Sequence, residues 1–212
     1  MTLTDSTSDA LRAAVISGEI APGAFVTEIL VCERFAVARP TAKAAIERLA
    51  HEGILSRESN KPARVPLLQA VDIRDLYDSR LVVESAAIRI LAEGRIVPKK
   101  AAHAQRMMET SSEDDPGEFI DADVTFHREL VRATQSRRLT AMHELVIGET
   151  HLCMGQVRSK DVLSSQEVAK EHRELLTAIE AGDGDGAAAL LGAHIRGARD
   201  ALVERLTAER EL

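Results

Sequence analysis

Residues 121–130 read DADVTFHREL. Asp123 and His127 are four positions apart in this stretch, so on a helix they lie one above the other on the same face. An apolar stripe at helical spacing accompanies them, formed by Val124, Leu130 and Val131. A carboxylate and an imidazole on a partly buried face cost desolvation free energy unless a charged or hydrogen-bonding group meets them. A divalent metal ion would meet that requirement.

Two further histidines lie in segments with helical periodicity. His172 lies in EVAKEHRELLTAIEAGD, and His194 lies in AALLGAHIRGARDAL, 22 positions later. Two antiparallel helices joined by a short loop could bring both to one level. One carboxylate and three imidazoles suit Zn, Ni, Co, Fe or Mn, suit Mg or Ca poorly, and could leave coordination positions open. The alternative is that these side chains are helix caps or hydrogen-bonded polar groups of the core.

The composition indicates a helical protein with a core of Leu, Ile, Val and Ala. The chain has 212 residues, enough for one large or two modest domains, and is 45% apolar but only 2% aromatic. Cys32 and Cys153 are too few and too far apart for a disulfide framework. Since no apolar run resembles a signal peptide or a membrane span, we expect a soluble cytoplasmic protein that makes no membrane contact.

The charge is unevenly distributed along the chain. The net charge is −7, yet residues 1–66 hold eight basic and eight acidic side chains, so the acidic excess lies in residues 67–212. An acidic protein is not an obvious nucleic-acid binder. Any contact with DNA must therefore come from local basic groups in the neutral N-terminal third.

The N-terminal third has the pattern of three helices and a wing. We predict helices over residues 8–18 with Ser8 as the cap, over residues 27–35 with Thr27 as the cap, and over residues 39–52 with Pro40 in the first turn. The inward residues of the second helix are expected to be Ile29, Leu30 and Cys32, and those of the third Ala42, Ala45, Ile46 and Leu49. ILSRES and ARVP then predict two short strands about a polar turn. This is the arrangement of a winged helix-turn-helix.

Basic and polar residues of the third helix and the wing are candidate DNA contacts. In such folds the N-terminal part of the recognition helix reaches base edges in the major groove. Arg39 is placed for a guanine, Lys43 for a phosphate or a base, and Lys61 with Asn60 for an adjacent groove or the backbone. The full set of candidates is Arg39, Thr41, Lys43, Arg48, Asn60 and Lys61. The alternative is a solvated helix face.

The stretch LRAAVISGEIAPGAFVTEILVCERFAVARPTAKAAIERLAHEGIL resembles the N-terminal domain of the GntR family of bacterial transcription regulators. The matching residues are Leu11, Arg12, Ile16, Gly18, Pro22, Gly23, Arg39, Ala45, Leu49, Glu52 and Gly53. Ala38 stands where the family usually has a capping Ser, Pro40-Thr41 reverses the common order, and Lys43-Ala44 replaces Arg-Glu. These departures bear on the operator sequence rather than on the fold.

Residues 62–68 are predicted to be a connector, and six helices are predicted after it. This C-terminal part of the chain resembles the FadR-like (FCD) ligand-sensing domain in its six-helix, VanR-like form. The resemblance lies in LYDSRLVVESAA, DADVTFHREL, EHRELLTAIEAGD and AHI. It implies that the metal ligands are Asp123, His127, His172 and His194. It also implies that Arg80 points into the ligand pocket, although an ion pair with Glu84 one turn away is an equal alternative. Family members commonly have Asn near Arg137, so that position indicates a different ligand shape or an exposed side chain. The remaining histidines are interpreted as surface residues: His51, His103, His143 and His151.

The sequence therefore predicts a mainly α fold, with a winged helix-turn-helix over residues 1–66 and an all-α, metal-dependent sensing and dimerisation domain over residues 67–212. The function expected is that of a DNA-binding transcription regulator, a repressor and homodimer on a two-fold symmetric operator. One divalent transition metal is expected per chain, with zinc as the first choice and Ni, Co, Fe or Mn as the other options. The metal would bind a small organic acid that controls operator affinity. Two alternatives stay open: a metal that is purely structural or is itself the signal, and a metal-dependent hydrolase, against which stands the lack of a separate general base.

Overall fold

The computed structural model describes residues 2–59, 61–111, 116–157 and 163–208. Within these ranges the chain forms nine helices and two short strands. In chain order they are α1 (Leu3–Ile16), β1 (Phe25–Val26), α2 (Glu28–Phe35), α3 (Arg39–His51), β2 (Ala63–Arg64), α4 (Ala70–Glu93), α5 (Lys99–Glu109), α6 (Pro116–Ala133), α7 (Arg137–Gln156), α8 (Ser165–Ala181) and α9 (Gly184–Ala208). The mainly helical fold is confirmed, with α4–α9 as the six predicted helices of the C-terminal part.

The first helix begins earlier than predicted. Thr2 and Asp5 form a reciprocal capping box, in which the Asp5 amide donates to the Thr2 hydroxyl and the Thr2 amide donates to the Asp5 carboxylate. The prediction that Ser8 caps α1 is wrong, because Ser8 is buried inside the helix and its hydroxyl donates to the Thr4 carbonyl at 2.9 Å. A serine whose hydroxyl bonds to a backbone carbonyl of its own helix destabilises that helix only slightly.

The second and third helices form the predicted helix-turn-helix. Thr27 caps α2 by accepting a hydrogen bond from the Leu30 amide at 3.2 Å, and Ala36, with a φ of 52°, makes the left-handed turn between α2 and α3. All four predicted inward residues of α3 are buried. The prediction for α2 is wrong at Ile29, which is 55% exposed, because Val31 takes the inward position.

The wing is paired differently from the prediction. Residues 63–64 form a strand as expected, but their ladder partner is β1 ahead of α2, with Phe25 opposite Arg64 and Val26 opposite Ala63. The stretch that was expected to be the other strand contributes a single bridge, from Ser56 to Arg64. The turn at residues 21–23 brings β1 alongside, since the Gly23 amide donates to the Val65 carbonyl at 2.9 Å.

Helix α7 touches both parts of the molecule. Leu152 is fully buried in the same hydrophobic cluster as residues of α1 and α3, while Cys153, next in the chain, packs in the cluster of the C-terminal helices. Two glycines on this helix allow the close approach. A Cβ on Gly148 would overlap the carbonyl oxygen of Glu52 at the end of α3, and a Cβ on Gly155 would lie 2.5 Å from the carbonyl oxygen of Ile16 at the end of α1.

Among the described helices, none combines the length and apolarity needed to cross a membrane.

Candidate metal centre and DNA-binding face

Three helices bring the four predicted metal ligands together. Helix α6 presents Asp123 and His127 on one face, α8 supplies His172, and α9 supplies His194. All four side chains are buried, and each offers one ligand atom within 4.8 Å of the others. The helical register predicted from residues 121–130 is thus the one found in the structure.

The imidazole Nε2 atoms converge on a small volume beside the Asp123 carboxylate. His194 Nε2 lies 3.2 Å from His127 Nε2 and 3.4 Å from His172 Nε2. Asp123 Oδ1 lies 3.8 Å from His127 Nε2 and 3.6 Å from His172 Nε2. Phe126 stacks on the His172 ring, with centroids 3.7 Å apart, and so fixes the plane of that imidazole.

Two glutamates set the orientation of two of these rings. His127 Nδ1 donates to Glu84 Oε2 at 2.6 Å, and His194 Nδ1 donates to Glu171 Oε2 at 2.7 Å. In a neutral imidazole that donates from Nδ1, the Nε2 atom carries a lone pair. The His127 and His194 Nε2 atoms lie 3.2 Å apart, so a cation held between them, either a proton or a metal ion, would satisfy both.

Burial keeps two of the rings in the form that binds metals. It lowers the pKa of His127, although Glu84 opposes the shift, and it lowers the pKa of His172 further because His194 and His127 lie beside it. Both rings are therefore neutral at physiological pH and can bind a cation without first losing a proton.

The spacing of the ligand atoms suits a transition metal. Zn–N bonds of about 2.0–2.1 Å place neighbouring atoms of a tetrahedron about 3.3 Å apart. Two of the Nε2–Nε2 separations are 3.2 and 3.4 Å. Carboxylates held on the outer nitrogens are also the usual second layer of a histidine metal site. Three imidazoles and a carboxylate thus fit the metal that the sequence predicted.

Glu84, like Glu171, is a residue of this site that is absent from the predicted set. Its buried carboxylate accepts from His127 Nδ1, from Arg80 Nε at 2.9 Å and from His143 Nε2 at 3.1 Å. Burial favours the neutral acid, but Arg80 and His127 hold the pKa of Glu84 well below its usual range. The prediction that His143 is a surface residue is wrong, because it is 1% exposed and bound to this carboxylate.

Arg80 makes the ion pair with Glu84 that is one of its two predicted roles. Its Nε makes the ion pair with Glu84, but its Nη2 is buried and has no hydrogen-bond partner among the described residues. The Tyr77 hydroxyl is also buried and without such a partner, and the Arg80 guanidinium lies 5.0 Å from the Tyr77 ring centroid. Unmade hydrogen bonds of buried donors are costly, so each of these groups is available to an added acceptor.

His151 also lies away from the surface, against the prediction. It is 7% exposed, and its Nε2 lies 3.0 Å from Asp121 Oδ1. Both residues line a cavity of about 300 Å³ between the N-terminal part and α6–α7, together with Arg12, Glu52, Arg128, Arg132 and Glu144. His51, His103 and Arg137 are exposed.

The N-terminal part carries a groove with several cations. Its volume is about 480 Å³, and its lining includes Arg39, Lys43 and Lys61 from the predicted set, with Arg57 in addition. Glu47 accepts ion pairs from Lys43 at 3.9 Å and from Arg57 at 3.7 Å. Arg39 makes no ion pair with any residue that the structure describes. Arg57 is absent from the predicted set and lies in ILSRES, the stretch for which the sequence predicts a strand.

The other predicted DNA contacts lie apart from this groove or outside the description. Arg48 points to α1, where it pairs with Asp5 at 2.8 Å. Thr41 is half-buried and is not part of the groove lining. Asn60 lies outside the described residues.

Comparison with known proteins gives matches over most of the chain. Residues 3–65 match the family model "Bacterial regulatory proteins, gntR family", and residues 75–197 match "FCD domain". The chain is 29% identical over 126 residues to the Nta operon transcriptional regulator of Aminobacter aminovorans, an alignment that covers 58% of this chain and 60% of that protein. It is 24% identical over 196 residues to the "Probable D-xylose utilization operon transcriptional repressor" of Paenarthrobacter nicotinovorans, covering 92% and 86%.

A solved structure shares the fold. The crystal structure of "a putative transcriptional regulator GntR from Rhodococcus sp. RHA1" superposes with a TM-score of 0.75 at 24% identity, covering 96% of this chain and 99% of that one.

Proposed function

Because the chain belongs to the GntR family of bacterial transcription regulators and carries an FCD domain, we propose that it is a repressor whose operator affinity is set by a small carboxylate bound at a metal site. DNA binding and transcription regulation come with the family. Repression, the metal and the carboxylate are our proposal. Repression has the support of a relative named a repressor, and the metal has the support of the buried Asp123–His cluster.

The single observation that carries the metal proposal is the convergence of three Nε2 atoms on one carboxylate. When bound, a divalent transition metal would supply a Lewis-acidic position for a carboxylate or hydroxyl oxygen. Arg80 would orient the rest of the ligand, since its Nη2 is a buried donor without a hydrogen-bond partner in the described part of the chain. Glu84 would hold both Arg80 and His127 in place.

We place the DNA contact in the groove of about 480 Å³. Four cations lie on it, and α3, the second helix of the helix-turn-helix, supplies Arg39 and Lys43. Such helices read the major groove, and proteins of this type commonly bind as dimers to half-sites one helical turn apart. We propose that two chains bind a two-fold symmetric operator, and that the ligand alters the spacing of their recognition helices.

The test uses the full chain, loaded with zinc, and a duplex selected from a random-sequence library by repeated rounds of binding. Short-chain mono- and dicarboxylic acids are then screened for two effects, a higher Tm and weaker binding to the selected duplex. We expect at least one acid to produce both effects with zinc and neither effect after chelation. Absence of any such acid would remove the effector from the proposal.

A second candidate is a regulator that senses the metal itself. The four ligand side chains are all at most 7% exposed, so protein groups could fill a tetrahedral coordination sphere completely. In that case zinc alone would change the affinity for the selected duplex, and no acid would raise the Tm of the zinc-loaded protein.

Arg39→Ala is expected to weaken binding to the selected duplex by about 10- to 100-fold, because a bidentate arginine–guanine contact is worth about 1–3 kcal/mol. The loss should be smaller on duplexes altered at the base pair that Arg39 reads. Arg106→Ala is the matched control, since Arg106 is an exposed arginine on α5. Fluorescence anisotropy at fixed salt gives both affinities. Equal affinity of the two variants would remove Arg39 from the interface.

A further inference from the structure

Helix α7 connects the metal cluster to the DNA-binding part through two contacts on one rigid element. Near its N-terminal end, His143 reaches the Glu84 carboxylate. Further along, the residues at 148, 152 and 155 share one face, since their spacing is four and three positions. That face meets the ends of α1 and α3.

At the metal end, one carboxylate joins three side chains. Glu84 Oε2 accepts from the ligand His127 at 2.6 Å, whereas Glu84 Oε1 accepts from His143 at 3.1 Å and from Arg80 at 2.9 Å. All four side chains are at most 2% exposed, so water does not replace a lost partner. A change in the position of His127 must therefore move Glu84, and with it His143.

At the DNA end, two glycines bring the backbone of α7 close to the backbone of the DNA-binding part. Gly148 meets the Glu52 carbonyl at the C-terminal cap of the recognition helix α3, and Gly155 meets the Ile16 carbonyl at the end of α1. Between them, Leu152 is 0% exposed and lies in the core of the DNA-binding part. Because packed backbones are incompressible at this separation, a shift of α7 is passed on to α3.

We propose that α7 couples the metal cluster to the recognition helix, and that His143 is the positioning residue that links α7 to Glu84. The inference rests on the proposed function only in requiring that the cluster binds a metal. A metal held by the cluster would fix the positions of His127 and Glu84. His143 would then fix the position of α7, and the glycine face of α7 would fix that of α3.

The test compares hydrogen–deuterium exchange of the full chain with zinc and after chelation. In the unmodified protein we expect zinc to slow exchange by at least about threefold both at the metal-bearing helices and at residues 49–55 and 148–156. In His143→Leu, zinc at saturating concentration should still bind and still protect α6, α8 and α9, because all four predicted ligands are kept. The protection of residues 49–55 and 148–156 should be lost.

Two further variants separate the linkage from a folding defect. His143→Gln places an amide donor near the position of Nε2 and should restore the distant protection, which a general packing defect would not allow. His103→Leu, at an exposed histidine on α5, should behave as the unmodified protein. If His143→Leu does not fold, His143→Asn, which is too short to reach Glu84, takes its place.

The outcomes distinguish this inference from the proposed function. Equal protection of residues 49–55 in His143→Leu and in the unmodified protein would overturn the role of His143. Zinc binding without any distant protection in the unmodified protein would overturn the coupling through α7, and a carboxylate effect on DNA binding could still be found. Absence of zinc binding overturns both.

Discussion

The double variant His172→Ala, His194→Ala is expected to reduce bound zinc from about one ion per chain to less than about 0.1, because it removes two of three imidazoles from a cluster in which every ligand atom lies within 4.8 Å of the others. At about 100 times its Kd, zinc stabilises a protein that binds it only when folded by about 2.7 kcal/mol. For a chain of this size, that corresponds to a Tm increase of roughly 5–10 °C. The double variant should show no increase.

Two measurements check this result. Inductively coupled plasma mass spectrometry after gel filtration gives the stoichiometry, and differential scanning calorimetry with and without zinc gives the Tm difference. His51→Ala, His103→Ala is the matched control, because both histidines are exposed and outside the cluster. A double variant that still carried one zinc per chain and kept the Tm increase would show that the metal lies elsewhere.

Gly148→Ala is expected to have the second large effect, a loss of about 3 kcal/mol or more in the free energy of unfolding. Insertion of a methyl group into a packed interior typically costs about 1–3 kcal/mol, and more where the neighbour cannot move. Here the added Cβ would overlap the backbone carbonyl of Glu52, which belongs to the cap of α3. The DNA-binding part must then move away from α7, so Leu152 becomes accessible.

Urea unfolding measures the loss of stability, and limited proteolysis of the region around residues 62–68 reports separation of the two parts. The control is Gly197→Ala on α9, where a Cβ meets no atom within 4 Å. Because alanine favours a helix over glycine, this change should stabilise the protein by up to about 1 kcal/mol. Equal stabilisation by both substitutions would mean that α7 and α3 are not in backbone contact in solution.

Most of the correct predictions of the fold and the site rest on residues that are close together in the sequence. A spacing of four positions was enough to place Asp123 and His127 on one helix face, and Pro40 with the apolar pattern after it was enough for α3. The assignment of His172 and His194 to the same site needed the family resemblance, because the spacing of two helices in the sequence does not determine which of their faces pack together. The structure brings all four together.

The errors come from contacts between distant positions. His143 and His151 have no carboxylate partner nearby in sequence on their own helix face, and their acceptors, Glu84 and Asp121, come from α4 and α6. Glu84 is also linked to distant positions: the sequence indicates only its i+4 pairing with Arg80, whereas His127 and His143 come from α6 and α7. Strand β1 was missed because two residues, one buried and one exposed, are too short for an alternating pattern.

The composition gives this protein a built-in optical probe. The chain has one tyrosine and no tryptophan, so Tyr77 is the source of its intrinsic ultraviolet emission. That ring is buried beside Arg80 in the core that also holds the proposed metal ligands, and burial raises its pKa, which keeps the phenol protonated in alkaline buffers. Cobalt or nickel entering the cluster should quench the emission, whereas spectroscopically silent zinc should not. Cobalt or nickel titrations followed by tyrosine emission would therefore report metal binding at the cluster in an unlabelled protein.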